Sequence, residues 1–200
     1  MQGIERKTGT FSLFAETAAA SRRRFIRHAG AATFSGLALA LLGGRRASAA
    51  AANDDAVAQD VRILNTAIAA EHEAVAAYQL GADSGLLEPA VLQVAVQFQG
   101  HHKEHADALA AAVKDLGGEA VDPRERYDFP TDRLGNQADV LQFAAGLERG
   151  AVSAYAGAIP LFDNRELSSA AASILADEAM HWAVLRQALG LDPVPGAFFS

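Results

Sequence analysis

Three glutamates and three histidines of this chain stand at spacings that could gather them into one metal-binding centre. Glu178-Ala-Met-His181 is a Glu-x-x-His pair, and residues three apart are neighbours on one helix face. His102-Lys-Glu-His105 repeats that spacing with histidine in the first place. Glu71 interrupts an apolar stripe between Ile68 and Val75, and Glu148 does the same between Ala144 and Val152. Buried charges without partners are costly, and divalent cations would offset that cost. One Glu from each of two helices, with a Glu-x-x-His from each of two others, is a ligand set that holds two metals inside a helical bundle. The same six residues, Glu71, His102, His105, Glu148, Glu178 and His181, would also sustain a metal-free network of Glu–His hydrogen bonds. The chain has no Cys, so thiolate metal sites and disulfides are excluded and a metal must take His, carboxylate and water.

Four segments carry apolar residues at helical spacing and could position these groups. The first runs from about Ala56 to Gly81, with Leu64, Ala67, Ile68, Val75 and Tyr78 on one face. The second begins near Pro89, a favoured first-turn residue, and stops at Gly117-Gly118; its face is Ala95, Phe98, His102, His105, Leu109, Ala112 and Leu116. The third spans about Ala138 to Ile159, with Leu141, Ala144, Glu148, Val152 and Tyr155 inward, and Pro160 should end or kink it. Asp163 or Asn164 can cap the fourth, which runs to Gly190 with Ile174, Leu175, Glu178, His181, Leu185 and Leu189 inward. Short connections within each pair and a long polar one, Glu119 to Gln137, between the pairs predict an all-α four-helix bundle of two antiparallel hairpins joined by a crossover.

The hairpins read as copies of each other. Glu71 and Tyr78 are seven apart, as are Glu148 and Tyr155; His105 follows Glu71 by 34 residues and His181 follows Glu148 by 33. An internal repeat predicts a pseudo-two-fold axis through the bundle. Tyr78 and Tyr155 are candidate hydrogen-bond donors to the ligand carboxylates, or core residues with satisfied hydroxyls. His101, beside the stripe, is a spare ligand candidate, whereas His72 and Glu73 belong to a solvated face and Trp182 to packing.

The first 49 residues are a separate matter. Ser21-Arg22-Arg23-Arg24-Phe25-Ile26-Arg27 resembles the twin-arginine export consensus, and an apolar run from Ala29 to Gly44 leads to the small-residue site Ala47-Ser48-Ala49. That run, about sixteen residues, is short of the roughly twenty that span a bilayer. The resemblance implies a cleaved signal at 1–49, the twin-arginine machinery as a partner, a periplasmic or extracellular protein, and no stable membrane insertion after cleavage. The remaining 50–200 form one domain, with nine basic against twenty-two acidic residues and a formal charge of −13. Such a surface repels nucleic acid and attracts cations. Homo-oligomers stay open.

The ligand pattern makes the chain similar to the ferritin-like superfamily. Within it, Gly157-Ala-Ile-Pro160-Leu through Ala170-Ala-Ala-Ser-Ile-Leu to Glu178-Ala-Met-His181 resembles the exported bacterial ferritin-like proteins related to plant desiccation-associated proteins. The resemblance covers roughly Asp60 to Gly190 and implies iron as the metal, with a ferroxidase- or peroxide-type oxidoreductase, a metal buffer, or a metal-free stress-related bundle as the functions. One departure matters: where members that bind two irons carry a second Glu-x-x-His, this chain has His102. The lost carboxylate lowers the charge available to hold two ferric ions, leaves one or two metals open, and makes the His-rich site better suited to zinc, copper, nickel or ferrous iron, with manganese a further candidate.

Overall fold

The computed structural model describes residues 52–199; the export signal read at 1–49 lies outside them. Four helices account for most of the described chain: α1 (Ala52–Asp83), α2 (Pro89–Asp115), α3 (Gln137–Ala158) and α4 (Arg165–Ala188). No strand occurs among the described residues, and none of their helices is long and apolar enough to cross a membrane.

Local chemistry sets the helix ends. Pro89 occupies the first turn of α2, where its missing N–H costs nothing. Gly117 closes α2 at φ +76°, and the Gly118 N–H reaches back to the Val113 carbonyl. Gly118 lies so close to Val61 that a Cβ there would meet its methyl at 2.9 Å, so this turn presses directly onto α1. The Asn136 side chain caps α3 and the Asn164 side chain caps α4. Pro160 ends α3 as expected, within a 3₁₀ turn, Ile159–Leu161. Buried Asp60 of α1 accepts from the Asp163 and Asn164 N–H groups, at 3.0 and 3.1 Å, and ties that turn to the bundle.

α1 packs against α2 and α3 against α4, each pair antiparallel. The segment between α2 and α3 starts beside Val61 and ends where Gln137 accepts from the Glu88 N–H, so it crosses the length of the bundle. α1 and α3 are antiparallel too, since Gly81 meets Val140 at one end and Gln59 donates to the Leu161 carbonyl at the other. The apolar stripes form two layers. One holds Leu64, Ile68, Leu109, Val113, Leu167 and Ile174; the other holds Tyr78, Phe98, Leu141 and Leu185.

Ile68 is fully buried in the first layer. Ile68→Ala should cost about 2–5 kcal/mol through lost transfer energy and the cavity left behind. A lower urea midpoint with an unchanged slope checks this.

Candidate metal centre

Between the two apolar layers every helix turns a polar group inward. α1 supplies Glu71, α2 His102 and His105, α3 Glu148, and α4 Glu178 and His181; all but His105 are 3 % exposed or less. The sequence-predicted set therefore converges at one level of the core.

These atoms fall into two groups. In the first, His102 Nδ1 lies 2.8 Å from Glu71 Oε2, and His105 Nδ1 lies 3.1 Å from Glu178 Oε1 and 3.6 Å from Glu71 Oε2. In the second, His102 Nε2 lies 3.3 Å from Glu148 Oε1, and His181 Nδ1 lies 3.5 Å from Glu148 Oε2 and 3.7 Å from Glu178 Oε2. Glu178 thus gives one oxygen to each group, and the His102 ring gives one nitrogen to each.

Hydrogen bonding leaves this cluster incomplete. His105 Nδ1, His181 Nδ1, Glu148 Oε2 and both oxygens of Glu178 are buried without a hydrogen-bond partner. Buried polar atoms are rarely left so, and each costs about 1–3 kcal/mol. The spacings suit another arrangement. Two ligands bound at about 2.0–2.2 Å to one cation, at tetrahedral or octahedral angles, stand about 2.8–3.6 Å apart. The His–carboxylate separations above run from 2.8 to 3.7 Å, and in each group one atom of every residue lies within 4.8 Å of the others, so the residues could gather around a divalent cation in either group.

The far sides of the histidines are held as metal-ligating rings usually are. Asp177 Oδ2 lies 3.4 Å from His105 Nε2 and 3.2 Å from His181 Nε2, so both rings can place their N–H outward and their bare Nδ1 inward. Two tyrosines steady the carboxylates across the bundle. Tyr155 of α3 donates to Glu71 Oε1 of α1 at 2.5 Å, and Tyr78 of α1 donates to Glu148 Oε1 of α3. Side chains lean toward the N-terminus of their own helix. In an antiparallel pair both tyrosines therefore lean toward the polar level, where each meets the other helix's glutamate.

A family model described as a ferritin-like domain matches residues 59–191. The chain belongs to that family. Two solved structures are similar to this ferritin-like chain. One is a conserved hypothetical protein from Mycobacterium tuberculosis, 21 % identical, with a TM-score of 0.61, covering 70 % of this chain and 97 % of that one. The other belongs to the ferritin-like diiron-carboxylate proteins from Bacillus anthracis str. Ames, 21 % identical, with a TM-score of 0.58 and coverage of 67 % and 97 %. At that identity the likeness speaks to the fold. No curated protein matches the chain.

Charges in this ferritin-like core are set by burial against pairing. Burial disfavours an ionised Glu71, but the His102 hydrogen bond and the nearby positive His105 ring outweigh it and bring its carboxyl down to about 2. Glu148, opposed by burial in the same way, is held well below the carboxylate range by His102 and His181. Burial would lower the histidines, yet the carboxylates around them raise His102 to about 9 and His105 and His181 to about 11. Glu178 goes the other way. Burial and the nearby Glu148 and Glu71 push its carboxyl up against the pull of His105 and His181. Burial, then the adjoining glutamate, raises both tyrosines, so each keeps the proton that it donates. Without a cation, three protonated rings hold the carboxylates together; a cation must displace those protons.

A cavity of about 540 Å³ lies between α1 and α3, and Glu71, His102 and Tyr155 line it among Ala67, Ala74 and Ala151. It offers small molecules a largely apolar approach to the polar level.

The structure brings the six residues singled out from sequence to one level of the core, and it adds Asp177, which the sequence reading did not single out. The signal was available: Asp177 stands four residues before His181, on the same face. Asp177→Asn should weaken metal binding about 10–100-fold, because an uncharged amide oxygen in place of Oδ2 accepts more weakly from the two ring N–H groups and makes the rings poorer ligands. Competition with a chromophoric chelator measures this, with the helical circular dichroism unchanged. His101 joins the outer edge of the cluster, whereas Trp182 packs edge-on to Phe199 and lies beneath the Arg186 guanidinium.

Proposed function

We propose that this chain is exported by the twin-arginine route and carries a one- or two-metal carboxylate/histidine centre that reacts with oxygen or peroxide. Five buried, unpartnered atoms aimed at one level of the core carry the metal reading. Glu71, His102, His105 and Glu178 would hold one ion, and Glu148, Glu178 and His181 the other. A neutral His102 has one bare nitrogen, so it can ligate on one side while its N–H remains on the glutamate of the other. Three protein ligands still stand on the poorer side.

A bound first-row metal supplies a Lewis-acidic, redox-capable centre to a small oxidant. The chain's own residues do the rest. Glu178 joins the two groups, Asp177 fixes the ring orientations, and Tyr78 and Tyr155 hold protons against Glu148 and Glu71. The two apolar layers limit water, and the cavity between α1 and α3 admits the oxidant. Family membership favours iron, with ferrous ion as the first substrate to try; the extra imidazole widens the choice to zinc or copper, and the carboxylates admit manganese. The reciprocal tyrosine–glutamate bonds support the reading of two hairpin copies about a pseudo-two-fold axis.

A metal-free, stress-related bundle is the second reading. One observation favours it: the protonated His102 ring already bridges Glu71 and Glu148. Oxygen and peroxide consumption after adding ferrous ion to metal-free protein separates the two. Turnover that Glu178→Ala abolishes supports the centre as a catalyst. Stoichiometric uptake without turnover would reduce it to a metal buffer, and no uptake would favour the bare bundle. Export has its own test: Arg22→Lys with Arg23→Lys should leave the chain in the cytoplasm, and unchanged export would remove that part of the reading.

A further inference from the structure

On the outer side of the α2–α4 seam, His101, Asp177 and His181 form a second kind of group. His101 Nδ1 lies 2.9 Å from His181 Nε2 and 3.1 Å from Asp177 Oδ2, and His181 Nε2 lies 3.2 Å from that same oxygen. One carboxylate oxygen thus faces both ring nitrogens, with His105 Nε2 a further neighbour at 3.4 Å. Three atoms about 3 Å apart match one face of an octahedron with bonds near 2.1 Å, the two-His, one-carboxylate arrangement of open metal sites. Packing shapes the triangle as well: Phe98 stacks on the His181 ring at 4.0 Å, and the His101 ring stacks on His181 at 5.1 Å.

Access separates this triangle from the core. The side chains of His101 and Asp177 are 33 % and 25 % exposed, whereas that of His181 is 2 % exposed. His181 is therefore shared, with Nε2 turned to the half-exposed triangle and Nδ1 to the buried group of Glu148 and Glu178.

We infer that the His101–Asp177–His181 triangle is a capture site for a divalent cation on its way to the core. The inference rests on the reading of the core as a metal centre. An ion arriving from solvent meets two half-exposed ligands and one nitrogen of a ring whose other nitrogen faces the core. A neutral imidazole offers one bare nitrogen at a time, so the capture position empties as the inner position fills. The triangle would thus set how fast the core loads rather than how much it holds. The acidic surface of the domain would feed it.

Cobalt(II), added to the full chain after metal removal and followed by stopped-flow absorbance, tests this. His101→Ala should reach the same final cobalt content as the wild type, but at least about tenfold more slowly, the size of a lost focusing site. Glu178→Gln, which lacks the tight centre, should retain one weakly held cobalt ion, and adding His101→Ala should remove it. Loading of His101→Ala at the wild-type rate would overturn the inference. So would a double variant that holds as much cobalt as Glu178→Gln alone; His101 and Asp177 would then be a plain surface ion pair. If the wild type bound no cobalt tightly, the core reading would fall. The triangle would still be judged by whether any weak ion depends on His101.

Discussion

Glu178→Gln should abolish tight metal binding without lowering the stability of the metal-free protein. Glu178 offers an oxygen to each group, and neither oxygen has a hydrogen bond. An amide keeps the shape but brings a hydrogen-bearing nitrogen and no charge. The loss of affinity should exceed the roughly 10–100-fold that a lost outer partner costs. Metal-free protein behaves differently, because burial already pushes the Glu178 carboxyl up toward its neutral form. Replacing a buried group that resists ionisation removes a burden on the fold. At a metal concentration one hundred times its dissociation constant, the wild type should gain about 2.7 kcal/mol. For a domain of this size that raises Tm by roughly 5–10 °C. The variant should show no such rise, while its metal-free Tm equals or exceeds that of the wild type. Differential scanning calorimetry with and without metal reads both. If Glu178 served a metal-free hydrogen-bond network instead, the variant would melt lower in the absence of metal.

The second large effect is a divergence of metal-free and metal-loaded stability with pH. In the metal-free protein His102, His105 and His181 are raised to about 9, 11 and 11. Groups raised on folding contribute fully below their ordinary value near 6.5, and that contribution is lost as pH rises through the folded values. Glu71, lowered to about 2, contributes above its ordinary value of 4.5 and loses that contribution as pH falls toward 2. The metal-free network is therefore strongest between about pH 4.5 and 6.5. Metal requires the opposite state of the rings. Each ligating histidine must release about one proton, so affinity climbs as pH rises. The Tm difference between loaded and metal-free protein should widen from pH 6 to pH 8, with proton release in weakly buffered titrations. A difference that is flat with pH would mean that the rings do not become ligands.

Much of this was legible along the chain because helix periodicity is a strong signal when it carries polar exceptions. Glu71, Glu148 and Glu178 stood on stripes whose other members had to be buried, so burial of the carboxylates followed. Uneven connection lengths then sufficed for the hairpin–crossover–hairpin order. Asp177 escaped because it lies at the edge of its stripe, half-exposed, where an acidic residue needs no explanation. Its role emerges only when α2 brings His101 and His105 against it. The tyrosine partners were hidden for a related reason. A seven-residue spacing relates Tyr78 to Glu71 on one helix, but it cannot show that α3 runs antiparallel and offers Glu148 instead. His102 is the instructive case. Sequence marked it as a departure from a two-iron ligand set, and the fold sets it between the groups, one nitrogen toward each.

The central claim is that this core holds metal. Elemental analysis of the protein purified from cells expressing the full chain, without added metal, tests it most directly. A first-row transition metal at one or two ions per chain, lost in Glu178→Gln, is the expected result. Protein with no transition metal near stoichiometric level, and with folding intact after His102, His105 and His181 are replaced together, would contradict it.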